Sequence, residues 1–251
     1  MFHQISEHVY LRSCEWYTDR PNIGLICGRD KALLFEAGNS AAHALQMQKE
    51  LEDAGLPQPD LVAVSHWHWD HTFGMNGWKV PVIAGKETNR MLQVVQTWKW
   101  DDDSMRRRID TGEDILFCDE MIRREYPDRS QIHVQSANVI FEERLSVDLG
   151  GVVCELLHAG GPHAADSVIC WVPSDRVVFL GDANGKDLYG QPWKFDIAHE
   201  EDLGPTLAAL PYERVLVDQL IRVLDPLEFD ICVGGHAEPM SRQALYQSLL
   251  V

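Results

Sequence analysis

Three histidines and an aspartate lie within six consecutive residues, His66-Trp67-His68-Trp69-Asp70-His71. They follow an apolar run at residues 61–65 that predicts a short buried strand, so the segment forms a tight loop just past a strand end. Imidazole and carboxylate ligands together favour zinc, iron or manganese over calcium or magnesium. The segment therefore predicts a transition-metal site. The alternative is an aromatic-rich loop with incidental histidines.

The two halves of the chain repeat one plan. Each half contains a charged turn, an apolar strand and an acidic residue at the carboxyl end of that strand. Each half also contains a buried strand that delivers a histidine just past its end. The four segments are residues 28–38 with Glu36, 174–183 with Asp182, 59–66 with His66 and 229–236 with His236. Because ligand-bearing groups gather beyond the carboxyl ends of strands, we expect the two halves to share one cleft.

The six-residue segment matches the His-x-His-x-Asp-His signature of the metallo-β-lactamase superfamily, and three further motifs follow in that family's order. They are Gly160-Gly161-Pro162-His163, Leu180-Gly181-Asp182 and Gly234-Gly235-His236. The chain thus resembles this superfamily over most of its length. The resemblance implies an α/β fold, a four-layer αββα sandwich with its metals at one edge. We expect one such domain over residues 1–251, with a helical insertion at about residues 86–130.

Carried over position by position, the resemblance implies a two-metal site. One metal would be held by His66, His68 and His163, the second by Asp70, His71 and His236, with Asp182 bridging the two. Two such cations share a hydroxide, lower its pKa toward neutrality and polarise the scissile bond. Asp70 would in addition orient the nucleophile or protonate the leaving group. Two zinc ions per chain are expected, with iron or manganese as alternatives.

Glu36 departs from the aspartate that the family usually has at its position. In the family this residue orients the metal ligands by hydrogen bonds, and the longer glutamate is expected to reach them as well.

The expected activity is that of a dinuclear metallo-hydrolase acting on a small ester, thioester, lactone, amide or phosphoester through a metal-bridging hydroxide. A mononuclear iron enzyme of the sulfur-dioxygenase kind keeps the same ligands and is the first alternative. β-Lactamase activity is a second: Asp166 and Lys186 favour it, whereas the bridging aspartate is typically missing from true zinc β-lactamases. A non-catalytic binding protein is disfavoured by the complete ligand set.

Several residues are candidates for contact with the substrate. Lys186 is either an anchor for a carboxylate or phosphate or an ordinary surface lysine. Tyr189 and Trp193 would line the entrance to the cleft. His199 is either a catalytic acid or a surface histidine. Residues 86–130 combine aromatic and methionine side chains at helical spacing, and they either cap the cleft as a lid or pack onto the body.

Composition restricts the partners. The formal net charge of −17 repels phosphate backbones, which argues against nucleic acid. No apolar run reaches the roughly 18 residues that a membrane span needs. Six scattered cysteines are typical of free thiols in a reducing compartment, and the amino terminus lacks the features of a signal peptide. A cytoplasmic protein with a small-molecule substrate is expected, while the substrate and the oligomeric state stay open.

Apolar patterning and turn residues predict the elements that position these motifs. The predicted strands are residues 8–12, 23–27, 32–35, 61–65, 81–84, 139–141, 145–149, 152–157, 168–172, 177–180 and 230–233. The predicted helices are residues 41–54, capped by Ser40, a helical stretch beginning near residue 86, and residues 114–126, 203–210, 215–224 and 241–250.

Overall fold

The structure is a computed structural model that describes residues 1–189 and 213–250. In these residues, thirteen strands form two mixed sheets. The first sheet contains, in spatial order, β1 (Phe2–Gln4), β2 (Val9–Arg12), β3 (Ile23–Cys27), β4 (Ala32–Phe35), β5 (Leu61–Ala63), β6 (Val82–Gly85) and β7 (Val139–Phe141). Strands β1 to β4 pair antiparallel, and β4 to β7 pair parallel.

The second sheet has the spatial order β13-β12-β11-β10-β9-β8. Its strands are β8 (Arg144–Asp148), β9 (Val153–His158), β10 (Val168–Val172), β11 (Val177–Gly181), β12 (Ile231–Gly234) and β13 (Met240–Ser241). Strands β8 to β11 pair antiparallel, and β11 pairs parallel with β12. Five consecutive strands, β8 to β12, thus repeat the order and relative directions of β1 to β5. This repeat corresponds to the plan expected from the sequence.

The main core lies between the two sheets. Because side chains alternate across a strand, Val168, Cys170 and Val172 of β10 face the first sheet, while Ile169 and Trp171 face the outer side. The same alternation places Leu33 and Phe35 of β4 in the inter-sheet core and Ala32 and Leu34 on the outer side. Both strands are therefore apolar on both faces, and each sheet needs a covering layer outside.

Helices supply that layer on both sides. In the first half they are α1 (Ala41–Asp53), α2 (Trp69–Thr72), α3 (Lys86–Val95), α4 (Asp102–Thr111) and α5 (Leu116–Glu125), and in the second half α6 (Arg214–Leu224) and α7 (Arg242–Leu249). Helices α1 and α3 pack Met47, Leu51 and Leu92 against the first sheet. Helices α6 and α7 pack Leu220 and Leu245 against the second. The result is the predicted four-layer αββα sandwich.

Helix α1 begins where its sequence predicts. The Ser40 hydroxyl accepts a hydrogen bond from the backbone N–H of His43 at 2.9 Å, which caps the first turn. After the helix, Gly55 adopts a φ of +68°, a left-handed conformation that glycine takes at low cost.

Helices α3, α4 and α5 form the insertion between β6 and β7. The buried Arg108 guanidinium lies between two indole rings, 4.6 Å from the centroid of Trp98 and 4.7 Å from that of Trp100. Stacking of this kind stabilises the insertion by packing and cation–π attraction. The basic run at residues 106–108, which follows an acidic run at residues 101–103, predicts a solvated helix face of mixed charge. Arg106 and Arg107 are exposed, but Arg108 is not.

The predicted strands appear within two residues of their observed ends, and so do the predicted helices that begin at residues 41, 114, 215 and 241. Strands β1 and β13 were missed because neither Phe2–Gln4 nor Met240–Ser241 forms an apolar run. The predicted helix 203–210 lies outside the described residues. Within the described chain, no helix combines the length and apolarity that a bilayer crossing requires.

Candidate metal centre

The loops that carry the sequence motifs meet at one edge of the sandwich. This edge is formed by the carboxyl ends of the parallel pairs β4–β5 and β11–β12. His66 and His68 follow β5, Asp70 and His71 lie in α2, His163 lies between β9 and β10, Asp182 follows β11, and His236 follows β12. Both sheets therefore contribute side chains to one site.

His66, His68 and His163 form a first group of three buried imidazoles. Their candidate ligand atoms lie within 4.8 Å of one another, and Nδ1 of His68 is 3.0 Å from Nε2 of His163. Nε2 of His66 is fully buried and makes no hydrogen bond to any described residue. A buried ring nitrogen of this kind needs a partner, which a metal ion would supply.

Asp70, His71, Asp182 and His236 form a second group, also within 4.8 Å. Oδ2 of Asp70 lies 2.9 Å from Nε2 of His71 and 3.0 Å from Nε2 of His236. Oδ2 of Asp182 lies 3.6 Å from both of the same nitrogens. Two carboxylates and two imidazoles are a donor set that suits zinc, iron or manganese.

Asp182 lies between the two groups. Its Oδ2, already within 3.6 Å of the second group, is also 3.5 Å from Nε2 of His163 in the first. Donors about 2.1 Å from a tetrahedral zinc lie about 3.4 Å from one another, so these separations fit a metal. One carboxylate oxygen thus has the placement that a bridging ligand requires.

The outer ring nitrogens of three histidines each lie close to an oxygen atom, through hydrogen bonds at His66 and His163 and an ion-pair contact at His71. Ser65 Oγ lies 2.8 Å from Nδ1 of His66, and Nδ1–H of His163 donates to the backbone carbonyl of Lys186 at 2.9 Å. Oε1 of Glu36 lies 3.2 Å from Nδ1 of His71. A partner at Nδ1 fixes the tautomer and leaves Nε2 as the metal-binding atom.

Glu36 fits because of its neighbour Gly181. A Cβ on Gly181 would lie 3.1 Å from Oε1 of Glu36 and 2.4 Å from Oγ of Ser65, so only glycine leaves room for both. The second carboxylate oxygen of Glu36 accepts the backbone N–H of Ser65 at 3.2 Å. Glu36 itself has a φ of +79°, which is uncommon for a non-glycine residue. The glutamate therefore reaches the ligand histidine, as expected.

The first group is electrostatically prepared for a metal. Burial, reinforced by the neighbouring imidazoles, holds the pKa values of His66 and His68 well below their usual range. Both rings are therefore neutral at physiological pH, and a neutral imidazole has the lone pair that a metal needs.

The second group carries protons that a metal would displace. Burial alone would lower the pKa of His236, but Asp182 and Asp19 outweigh it and raise this pKa to about 9. The pKa of His71 is likewise raised, since Asp70 and Glu36 outweigh the effect of burial. Metal binding to this group is therefore coupled to proton release.

A cavity of about 280 Å³ opens onto both groups. Its apolar wall consists of Trp16, Phe117, Leu188 and Tyr189, and Lys186 also lines it. Lys186 and Tyr189, two of the candidates for substrate contact, thus both line this cavity. Trp193 and His199 lie outside the described residues.

Two parts of the insertion differ in their relation to this cavity. Phe117 and Cys118 of α5 line it, and the Cys118 thiol lies 3.3 Å from the Tyr189 hydroxyl. Trp98 and Trp100 of the insertion are not among the described residues that line the cavity. The insertion contributes both to the cavity wall and to packing.

Sequence reasoning missed three residues at the site. Trp16 and Asp19 come from the segment before β3 and line the cavity, and Ser65 contacts His66. Asp19 has a φ of +54°, and burial beside the Asp70 carboxylate raises its pKa to about 7. The sequence around Asp19 predicts only a turn before Pro21, so it offered no signal for a role at the site.

Comparisons with known proteins agree with this architecture. The family model of the metallo-beta-lactamase superfamily matches residues 16–236. A metallo-beta-lactamase from Pontibacter korlensis superposes with a TM-score of 0.63 at 17% identity, over 100% of this chain and 97% of that one. DIM-1 metallo-beta-lactamase superposes with a TM-score of 0.63 at 14% identity, and TMB-1 with a TM-score of 0.60 at 17% identity. Each of these two superpositions covers 100% of this chain and 95% of the other. No curated protein matches the sequence. The structural likeness shows the fold, and the family match, which spans most of the chain, shows that the chain belongs to the metallo-beta-lactamase superfamily.

Proposed function

We propose that the protein is a dinuclear metallo-hydrolase, with zinc as its metal, that cleaves a small ester, thioester, lactone, amide or phosphoester. One observation carries the proposal: Oδ2 of Asp182 lies within 3.6 Å of ligand nitrogens from both groups. A carboxylate in that position can offset the charge of two cations at once, one at each group.

The residues of the site would have the following roles in hydrolysis. His66, His68 and His163 would hold one cation and Asp70, His71 and His236 the other, and the bound cations would lower the pKa of a coordinated water and polarise the bond to be cleaved. The Asp70 carboxylate is ionised at neutral pH, because contacts with His71 and His236 outweigh burial and lower its pKa. It would orient the attacking water, accept a proton from it and pass that proton to the leaving group.

The cavity supports a small substrate with an apolar part. Its volume of about 280 Å³ lies at the lower end of typical ligand pockets, which occupy roughly 300–1,000 Å³. Trp16, Phe117 and Leu188 would pack against that apolar part and exclude water from the bond. Lys186 would bind a carboxylate or phosphate at the other end.

The test combines metal analysis with a substrate panel. Protein produced in medium that contains zinc, iron and manganese, and purified without chelator, should hold two zinc ions per chain by elemental analysis. It should also hydrolyse at least one member of a panel of aryl esters, thioesters, lactones, β-lactams and phosphodiesters. One iron per chain with oxygen-dependent thiol oxidation would instead identify a dioxygenase. A metal content near zero after supplementation would refute both.

A further inference from the structure

The segment Glu15–Asn22 contacts the loop that carries His236, although more than 200 residues separate them. The backbone of Glu15 pairs with that of Arg20 through two hydrogen bonds of 2.9 Å, which close the segment into a turn. Asn22 is buried, and its Nδ2 donates to the carbonyls of Gly234 and Ala237, each at 2.7 Å. The backbone on both sides of His236 is therefore attached to this turn.

Asp19 lies in the turn and faces the His236 ring. Its side chain is buried, and its Oδ1 lies 3.6 Å from Nδ1 of His236. The opposite nitrogen, Nε2, points to Asp70 and Asp182 in the second group. An imidazole that binds a metal through Nε2 carries its hydrogen on Nδ1. Asp19 is the carboxylate nearest to that hydrogen.

The other histidines show what such a partner does. Ser65, Glu36 and a backbone carbonyl occupy the Nδ1 side of His66, His71 and His163 respectively. Each of these partners directs Nε2 toward the metal. His236 is the ligand most distant in sequence from the HxHxDH loop, and it is also more exposed than the others, at 27% of its side chain. It therefore depends most on an outer partner.

We propose that Asp19 is a positioning residue that holds the His236 imidazole through Nδ1 and thereby determines the affinity of the second metal ion. The inference rests on the two-ion site of the proposed function. Asp19 acts through His236, because it lies on the side of the ring away from the ligand atoms. Its negative charge also stabilises the positive charge that the ring acquires when Nε2 binds a cation.

Two substitutions separate its charge from its bulk. Asp19→Asn keeps the size and removes the charge, and Asp19→Gly removes the side chain. Both residues tolerate the left-handed backbone at this position, so neither adds strain. Asp175→Asn is the matched control, because the Asp175 side chain is also buried and also contacts a histidine, at 3.0 Å from Nδ1 of His8. It lies in the turn before β11, at the opposite end of that strand from Asp182.

Metal-free full-length protein of each variant is titrated with zinc by calorimetry and with cobalt(II) by absorption spectroscopy. Cobalt spectra distinguish the groups, because one has three imidazoles and the other mixes carboxylates with imidazoles. We expect Asp19→Gly to lower the affinity for the second ion by about 10- to 100-fold and Asp19→Asn to lower it less. The affinity for the first ion should stay that of the wild type. Asp175→Asn should bind both ions normally.

Wild-type affinity for both ions in both Asp19 variants would overturn the inference. Equal weakening of both ions, with a lower melting temperature of the metal-free protein, would also overturn it, because that pattern indicates general structural damage. A wild type that binds fewer than two ions would overturn the proposed function and this inference together. The wild-type titration thus separates the two failures.

Discussion

The contact between Glu36 and His71 allows a quantitative prediction about the residue that departs from the family pattern. Glu36→Asp shortens the side chain by one carbon–carbon bond, about 1.5 Å. If the backbone stays in place, the separation from Nδ1 of His71 grows from 3.2 Å to about 4.7 Å. A cation bound at Nε2 would give the neutral ring positive charge; with that charge taken as one unit and an effective dielectric constant of about 20, its attraction to the carboxylate falls from about 5.2 to about 3.5 kcal/mol. Relative to binding by the neutral ring, this loss of about 1.7 kcal/mol predicts up to roughly 20-fold weaker metal binding.

Glu36→Gln tests the same contact differently, because the amide keeps the length and the hydrogen bond to Ser65 but loses the charge. Loss of an outer partner of a ligand histidine typically weakens metal binding by about 10- to 100-fold. The assay is competition for zinc with a chromophoric chelator. A parallel melting curve of the metal-free protein shows whether each variant is folded. Glu155→Gln is the control, since Glu155 is a buried glutamate whose partners are Arg144 and Ser146. Wild-type zinc affinity in both Glu36 variants would refute the reasoning.

Four other perturbations address separate parts of the molecule. Asp182→Ala removes the oxygen near both groups, so elemental analysis should show the loss of at least one ion, and most of the hydrolytic activity should be lost. Full metal content would contradict a bridging role. Lys186→Ala should raise KM for anionic substrates and leave neutral ones unchanged, and an equal effect on both would exclude the anchor. Phe117→Ala enlarges the cavity and should shift preference toward bulkier substrates at constant metal content, whereas a uniform loss would indicate packing alone. Burial raises the pKa of Asp114 to about 6 from an ordinary 3.8, so its contribution to stability is present below pH 4 and is lost as the pH rises through 6. The free energy of unfolding of the metal-free wild type, measured with urea, should therefore fall by at most about 3 kcal/mol over this pH range, and that of Asp114→Asn should not. The same pH dependence in both proteins would disprove this prediction.

The sequence predicted the strands well because their signals are local. Residues 23–27 and 32–35 are apolar runs between charged or glycine-containing turns, and the observed strands have the same ends. The acidic residues at the strand ends, Glu36 and Asp182, were found for the same reason. The family motifs then indicated which histidines meet.

What the sequence did not reveal depends on contacts between distant segments. Asp19 and Asn22 contact a loop more than 200 residues away, and no local pattern marks them. The aromatic content of the insertion likewise did not show which rings face the cavity. Trp98 and Trp100 stack on Arg108 instead of facing the cavity, and Phe117 lines the cavity.

The site takes its ligands from both sheets, and this has a consequence for how bound metal would affect unfolding. An ion held by His71 from the first half and His236 from the second is a cross-link between the two halves of the sandwich. The halves cannot separate while the ion is bound, so saturating metal should make the sandwich unfold as one cooperative unit and at a higher temperature. Removal of the metal by a chelator should reverse both effects.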